Sequence, residues 1–315
     1  MMTVFESPVY LRAAGWVGGL AREVQVSGGE SLGALKALVE LEGDGSARSV
    51  SGMTLEDMLL PLPAAVLKAS GVARARSAAK CTVFASVLAR SLRPYASANP
   101  EADKDAVGLG VVCTSAITPI FWRFEAVGLT EGWDNTDTML LPASIPSAVV
   151  TAASTATDFH ATAMTFGDGA VGVFNAIEHA YVGMRNERFS SFMLLTSDEA
   201  CTHTLDALKA LGVDRDVVDG ASGLVLCSKP GSADDWRVGF VSINGDVDAE
   251  QVPVGWEGAH KSVVRTEDHF TSYTSNFVAP LLVGALCAAG DSSQVILKLR
   301  LGARSVCQVG LTRVH

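Results

Sequence analysis

The chain has 315 residues, of which 48% are hydrophobic and 18% are charged, and this composition is typical of globular proteins rather than disordered ones. The length predicts one large domain or two similar halves around a substantial core. Lys and Arg total 24 against 34 Asp and Glu, and the net charge of -10 argues against nucleic acid and anionic membranes as partners.

Three further features predict a soluble cytoplasmic protein. The first ten residues lack a basic region and contain Glu6, so no signal peptide is expected. The apolar run 277–289 is too short to span a bilayer, and the run 106–122 is interrupted by Gly, Ser, Thr and Pro. The six cysteines form no CxxC pair and no metal-type cluster, which indicates buried free thiols in a reducing compartment and no bound metal.

The first half of the chain alternates strands and helices. A strand is predicted at "PVYLRAAGWV", and a short helix capped by Ser31 at "SLGALKALVE". An amphipathic helix is predicted at "ARSAAKCTVFASVLARSL", a buried strand at "AVGLGVVCTS", and a helix at "PIFWRFEAVG". Two prolines then precede a helix of small residues at "LPASIPSAVVTAASTATDF", which would let a neighbouring backbone approach closely.

Residues 162–181 are typical of a strand, a tight turn and a helix, and they read "TAMTFGDGAVGVFNAIEHAY". Such an elbow often displays a nucleophile at the start of its helix. The turn here holds Thr165, Phe166, Gly167, Asp168 and Gly169, and none of these is an obvious nucleophile.

After the elbow, a buried strand is predicted at "SSFMLLTSDE", a helix at "TLDALKALGV", and a possible strand hairpin at "SGLVLCSK" and "WRVGFVSING". An apolar helix at "SNFVAPLLVGALCAAG" and a strand pair at "SQVILKLRLG" and "SVCQVGLTRV" end the chain. Residues 244–274 read as an irregular connector, and loops of this length usually serve function or contact. The alternation predicts an α/β fold with buried mixed sheets.

The order of these elements resembles the β-ketoacyl synthase branch of the thiolase fold. The carrying segments are "GLGVVCTS", "LPASIPSAVV", "TAMTFGDGAVGVFNAIEHA" and "FMLLTSDEA", followed by "GLVLCSK", "RVGFVSING", "NFVAPLLVGALCAAGD" and "VILKLRLGARSVCQVGL". The resemblance implies two similar halves with stacked mixed β-sheets between helix layers, in the order α-β-α-β-α. One half would cover residues 1–215, and a shortened second half would cover residues 216–315.

Three catalytic elements of that family are missing from the sequence. The resemblance places Phe166 where the family has its cysteine nucleophile, an alternative alignment places Met164 there, and neither side chain can form a thioester. The family's first histidine, in a His-Gly-Thr segment, has no counterpart. The second falls at Ser272, with His269 three residues earlier, and the final Gly-Phe-Gly-Gly loop reads "LGAR".

Other residues with reactive side chains are predicted to be structural. His160 and His179 flank the elbow segment, and His179 is expected to be too far from the turn to act there. Cys113 ends a core strand, and nothing in the sequence around it would activate its thiol. Asp198 and Glu199 could serve as paired carboxylates, but capping of a helix that begins near residue 202 is the favoured interpretation.

The resemblance implies a role like that of the chain length factor. In type II polyketide systems one subunit keeps the cysteine, and its partner, which has lost it, shapes the cavity of the growing chain. We therefore expect a cofactor-free, non-catalytic subunit that forms a heterodimer with a catalytic ketosynthase and meets acyl carrier protein only indirectly. Phe166, Phe121 and Phe124 would shape the cavity for a polyketide, aryl polyene or fatty-acid-like chain. The helix 144–156 and the elbow strand would form the dimer contact.

Two alternatives stay open from the sequence alone. A stand-alone acyltransferase or hydrolase of acyl thioesters would use Ser272, Cys113 or His269. A homodimeric acyl-binding module would catalyse no reaction. For Phe166, an ordinary core aromatic at a tight turn is the alternative to a side chain that fills a vacated pocket.

Overall fold

The computed structural model describes residues 1–18, 21–28, 62, 64–72, 78–99, 101–113, 118–140, 142–199, 220–231, 236–244, 252–266, 275–301 and 305–314. Within these ranges the strands are β1 (Met2–Gly18), β2 (Ala21–Gly28), β3 (Val107–Val112), β4 (Thr162–Phe166), β5 (Ser191–Asp198), β6 (Gly220–Cys227), β7 (Trp236–Asn244), β8 (His260–Thr266), β9 (Gln294–Leu301) and β10 (Ser305–Arg313). The α-helices are α1 (Ala64–Ser70), α2 (Lys80–Ala96), α3 (Thr118–Glu131), α4 (Pro146–Thr157), α5 (Gly169–Arg185) and α6 (Ser275–Ala288). Short 3-10 turns lie at Lys104–Ala106, Trp133–Asn135, Thr138–Leu140 and Pro142–Ser144.

The predicted mixed α/β class is confirmed, but the described strands form one continuous sheet rather than two. Its order is β4-β3-β5-β6-β1-β7-β10-β9-β8, and β2 pairs with β1 outside this path. The sheet is continuous because β1 is 17 residues long. One end of β1, from Tyr10 to Gly18, pairs with β6, while the other end, from Met2 to Leu11, pairs with β7.

The sheet contains two groups of strands whose pairing orders are similar. In the first strand group, β4-β3-β5-β6-β1, two parallel contacts are followed by two antiparallel ones. In the second strand group, β8-β9-β10-β7, one parallel contact is followed by two antiparallel ones. Strand β6 follows the predicted half boundary at residues 215 and 216, yet it pairs with β5 and β1 of the first strand group.

Two predictions of local structure are wrong. Strands β6 and β7 do not form a hairpin, because β1 lies between them and pairs with both. The predicted irregular connector contains β8, which pairs in parallel with β9. A strand at the edge of a sheet needs few apolar residues, so its sequence, "HKSVVRT", shows little of the alternation that marks buried strands. The helices predicted at residues 31–40 and 204–213 lie outside the described residues.

The inner core surrounds two helices: α5, which follows the elbow turn, and α6. Apolar side chains of α5 and α6 pack there against side chains from strands of both groups, including Trp16 on β1, Phe192 on β5 and Leu297 on β9. Both helices therefore bury against the same sheet, and the two stacked sheets that the resemblance implies are not formed by the described strands. None of the helices in the described ranges combines the length and the hydropathy needed to cross a membrane.

The outer faces of the two strand groups are covered differently. Helices α2 and α4 cover the first strand group and build a second core cluster with β3, β5 and β6. The predicted apolar positions of α2 are all buried, but burial extends all round the helix from Cys81 to Ala89, so α2 is a core helix rather than an amphipathic one. On the second strand group, the outer cluster consists of Phe240, Trp256 and Ile296.

Candidate active-site elbow

The elbow predicted from the sequence is present. Strand β4 ends at Phe166, and α5 begins at Gly169 after the exposed residues Gly167 and Asp168. Asp168 and Gly169 both adopt left-handed backbone conformations, with φ of 65° and 54°, which turns the chain sharply into the helix. The carbonyl of Asp168 then accepts hydrogen bonds from the N–H groups of Val171 and Gly172, at 3.1 and 3.4 Å.

The first turn of α5 depends on Gly172. A Cβ atom at this position would lie 1.9 Å from the carbonyl oxygen of Gly167 and 3.0 Å from Val112 Cγ1. Only glycine lets the helix approach the elbow backbone and the end of β3 so closely. The N–H groups at the start of α5 therefore point toward the exposed turn, as they do at sites that stabilise negative charge.

Phe166, the favoured nucleophile position, is the last residue of β4 and is half-buried. Its ring packs against the inner core and lies over Gly110 of β3, where a Cβ atom would be 3.0 Å from Phe166 Cε2. The ring also lies 5.8 Å from the imidazole of His179, measured between centroids. Phe166 therefore shares with Phe192 the space that the missing side chain of Gly110 leaves open.

Met164 lies two residues before Phe166 in β4 and pairs with Gly110. Because side chains alternate along a strand, Met164 projects from the same face of the sheet as Phe166. It is half-buried and precedes the turn, whereas Phe166 adjoins it. Neither side chain is a nucleophile, so neither candidate position can form a thioester.

The other predicted cavity residues lie away from Phe166. Phe124 packs against the outer core cluster beneath α2 and α4, while Phe121 on the same helix, α3, is 43% exposed. The structure thus brings Phe121 and Phe124 together on α3 and places Phe166 on the opposite face of the sheet. Ser272 and His269 lie outside the described residues.

Cys113 is the thiol nearest to the elbow strand along the sheet. It follows β3, and its backbone N–H donates to the carbonyl of Phe166 at 3.2 Å. Burial, with a smaller effect from the charge of Asp198, raises the pKa of Cys113 to about 12. At neutral pH this thiol is protonated, so it cannot act as a thiolate nucleophile.

The other described cysteines whose pKa departs from its ordinary value are no more reactive. Burial, followed by the charge of Glu199, raises the pKa of Cys81 well above its ordinary value. Burial alone raises the pKa of Cys307 to about 12. Thiol reactivity follows thiolate content, and each of these environments disfavours the thiolate.

His179 contacts the elbow residue, although its sequence distance predicts otherwise. The ring of Phe166 reaches the middle of α5. There the imidazole of His179 packs between the Phe166 ring and the rings of Phe189 and Phe192. Burial, and then the charge of Arg188, lowers the pKa of His179, so its imidazole is neutral at pH 7. Its Nε2 atom has no hydrogen-bond partner within the described ranges.

His160 lies at the opposite end of β4 from the elbow. Its Nε2 atom is 2.9 Å from Asp158 Oδ1, and its Nδ1 atom is 3.8 Å from Asp105 Oδ1. Asp158 also pairs with Lys104, and that hydrogen bond lowers the pKa of Asp158. His160 belongs to this surface charge network and not to the elbow.

Asp198 ends β5 and Glu199 follows it, and both are almost fully buried, at 1% and 8% exposure. Glu199 Oε2 accepts from the backbone N–H of Cys81 at 3.4 Å, in the first turn of α2. The Ser197 hydroxyl donates to the carbonyl of Cys81 at 2.8 Å. Glu199 therefore stabilises the start of α2, a helix that precedes it by more than 100 residues. The helix that Asp198 and Glu199 are predicted to cap, near residue 202, lies outside the described residues.

No group of three or more His, Cys, Asp or Glu side chains within the described ranges could hold a metal ion. A cavity of about 450 Å³ lies between the start of α2 and α4, on the outer face of the first strand group. Its lining is mostly apolar, with the hydroxyls of Thr82, Ser147 and Thr151 and the carboxylate of Asp137. The elbow residues do not line it, so this cavity does not join the elbow.

No protein-family model matches the sequence, and no curated protein matches it. The fold is nevertheless similar to solved structures over nearly all of the chain. An ishigamide ketosynthase/chain length factor structure has a TM-score of 0.65 at 13% identity. A type II polyketide ketosynthase in complex with its acyl-carrier protein, AntDE:AntF, bound to the hexaketide, has a TM-score of 0.69 at 13% identity.

A β-ketoacyl synthase from Burkholderia phymatum STM815 has a TM-score of 0.61 at 11% identity. Each of the three alignments covers 98% of this chain and 100% of the matched chain. The similarity therefore extends over nearly all of this chain and is not confined to one part of the sheet. The chain therefore has the fold of ketosynthase and chain-length-factor structures.

Proposed function

We propose that this chain is a non-catalytic, chain-length-factor-like subunit that pairs with a catalytic ketosynthase. The observation that carries the proposal is an intact elbow without a nucleophile. The backbone has the sharp turn at Asp168 and Gly169 and the close approach at Gly172 that an active-site elbow requires. The two candidate positions for a nucleophile are nevertheless occupied by Phe166 and Met164. The nearby Cys113 thiol is protonated at neutral pH because its pKa is about 12.

In this proposal the partner forms the acyl thioester and performs decarboxylative condensation of malonyl units on acyl carrier protein. The product would be a polyketide, an aryl polyene or a fatty-acid-like chain. The matched structures support the choice of partner, because two of them are described as a ketosynthase/chain length factor and as a ketosynthase with its acyl-carrier protein. Phe166 would keep the inner core filled where a catalytic subunit has its cysteine.

The contact would include the open edge of β4. In the described sheet β4 pairs only with β3, so one side of its backbone is available to another strand. Its sequence, "TAMTF", carries no charge that would oppose pairing, and Ala163 is exposed. Helix α4, which packs against β4, would extend this contact with its small side chains. Permanent interfaces of this kind are large and apolar.

The proposal is tested by co-expressing the chain with a ketosynthase encoded by a neighbouring gene and measuring the mass of the purified species by light scattering. We expect a one-to-one heterodimer. A stable monomer that never co-purifies with the ketosynthase would overturn the proposal. A homodimer that carries co-purified lipid would favour the acyl-binding module instead.

A further inference from the structure

Four exposed apolar side chains form what we call the aromatic surface: Phe121, Trp122 and Leu129 on α3, and Trp133 in the 3-10 turn that follows. Their exposed fractions are 43%, 39%, 73% and 53%. Among the Phe and Trp side chains whose burial is described, the exposed ones all lie in this one segment. Single exposed apolar residues are common, but clustered exposed aromatics mark interaction sites.

The aromatic surface is held in place from below. The ring of Trp133 lies on the backbone of α3 at Gly128, where a Cβ atom would be 2.4 Å from Trp133 Cε3. The Phe124 ring, which packs against the outer core, supports Trp133 at a centroid distance of 5.9 Å. An aromatic side chain that is already fixed loses little conformational entropy on binding, which is a property of residues that dominate binding energy.

The segment that carries the aromatic surface is acidic. Residues 118–140 contain Glu125, Glu131, Asp134 and Asp137, against a single cation, Arg123. Glu131 and Asp134 are exposed and flank Trp133 in the sequence. A partner that buries the aromatic surface therefore gains from basic side chains around its own apolar centre, because complementary charges favour the encounter and like charges oppose it.

This charge pattern argues against a second copy of the chain as the occupant. A two-fold contact places the same patch on both sides, so the acidic borders would face each other across the interface. The surface also continues toward the proposed contact edge. The 3-10 turn Pro142–Ser144 contacts both α3 and α4, and α4 contacts β4.

We infer that the aromatic surface docks the catalytic ketosynthase, which presents apolar side chains bordered by Lys and Arg. The inference rests on the proposed function for the identity of the partner, and it adds a second contact, with a stated chemistry, to the edge of β4. It also implies that the affinity of the complex falls as salt screens the charged border.

The chain carries its own reporters for the test. Its five tryptophans are all described, and Trp16, Trp236 and Trp256 are at most 8% exposed. Acrylamide quenching of tryptophan fluorescence therefore reports mainly on Trp122 and Trp133. In the experiment, the chain is mixed with the neighbouring-gene ketosynthase, and all tryptophans of the ketosynthase are replaced by Phe. Fluorescence quenching and binding affinity are measured on the same mixture.

We expect quenching to fall sharply when the complex forms, and Trp133→Ala to weaken binding by about tenfold or more, as truncation of a central aromatic does. Asp134→Lys should raise the Kd by about fivefold, because rim ion pairs contribute modestly. The matched control is Asp291→Lys, an equal charge change at an exposed position after α6, and it should leave the Kd unchanged.

The outcomes separate the two proposals. A complex that forms while quenching, Trp133→Ala and Asp134→Lys show no effect would overturn this inference and leave the proposed function standing. Absence of any complex would overturn the proposed function, and the present inference with it. Gly128→Ala provides a further check, since it displaces the Trp133 ring without changing the surface composition, and it should weaken binding while the far-ultraviolet circular dichroism is retained.

Discussion

The two strand groups share a core order but end in different edges. From β3 to β1 and from β8 to β7, one parallel contact is followed by two antiparallel ones when β4 is set aside. The second strand group ends at β8, whose sequence "HKSVVRT" carries Lys261 and Arg265. The first strand group continues to β4, whose sequence "TAMTF" has no charge. Charged residues on an edge strand oppose pairing with another chain. Of these two edges of the described sheet, β4 is therefore the one at which the proposed partner would pair.

The groups differ as well in how their outer faces are covered. Two helices, α2 and α4, protect the first strand group, whereas Trp256 provides the large side chain in the outer cluster of the second. Its ring meets Phe240 edge-on at 5.1 Å, in space left by Gly239 and Gly310. Among the described residues, the elbow thus belongs to the strand group whose outer face is covered by two helices.

The largest expected effect concerns the outer cluster of the second strand group. Trp256→Ala should lower the free energy of unfolding by about 4 kcal/mol, because it removes the aromatic that fills the space above Gly239 and Gly310. Phe84→Ala on α2, which removes a smaller buried ring, should cost about 3 kcal/mol. Urea denaturation measures both values. A cost below about 1 kcal/mol for Trp256→Ala would contradict this account of the second strand group.

The next effect concerns the elbow. Gly172→Ala places a methyl group 1.9 Å from the Gly167 carbonyl oxygen, so the backbone must shift, at a cost of about 2–3 kcal/mol. Gly167→Ala is the matched control, since a Cβ atom there meets nothing within 4 Å. Thermal unfolding of the two variants compares them. Equal melting temperatures would show that α5 does not depend on this close approach.

The next test compares the two edge strands, by adding a charge to β4 in one variant and removing a charge from β8 in another. Ala163→Lys adds a cation to β4, so we expect unchanged monomer stability and a heterodimer weakened by about tenfold. Lys261→Ala removes a cation from β8 and should leave the heterodimer unchanged. Analytical ultracentrifugation of the pair with its ketosynthase gives both affinities. If only Lys261→Ala weakened the heterodimer, the contact would lie at β8 and not at β4.

The smallest effect is the pH dependence that His179 contributes. Burial lowers its pKa from the ordinary value of 6.5, so the folded state holds the neutral imidazole while the unfolded state takes up a proton first. The stability from this group is present above pH 6.5 and is lost as the pH falls through that value toward the folded pKa. His179→Phe should therefore lose less stability than the native chain between pH 7.5 and pH 5, measured by urea midpoints. An identical pH dependence would show that His179 is not buried as described.

Much of the fold could be predicted from the sequence because its elements are long and strongly patterned. The strands at β3 and β5, the helices α2 and α6, and the elbow with Gly167 and Gly169 all follow from apolar runs bounded by turn residues. Strand β8 could not be predicted, since an edge strand tolerates polar residues, and β2 was missed as well. The false hairpin of β6 and β7 arose because sequence neighbours usually pair, and nothing local shows that the 17-residue β1 lies between them.

The site was predicted less completely than the fold. The absence of a nucleophile at the elbow follows from the sequence, as do the two candidate positions, Phe166 and Met164. The contact between Phe166 and His179 does not, because it depends on how the rings of Phe166 and Phe192 share the space beside Gly110. The sequence also gives no sign that Phe121 and Trp122 are exposed while Phe124 is partly buried, since aromatics occupy both faces of α3.

The central claim is that this chain supports condensation without carrying the acyl chain covalently. The most direct test incubates the heterodimer with an acyl donor on acyl carrier protein and measures the intact mass of each subunit. The account predicts an acyl adduct on the ketosynthase subunit alone, and the same result when all six cysteines of this chain are replaced by alanine. An acyl adduct on this chain, at Cys113 or at any other residue, would contradict it.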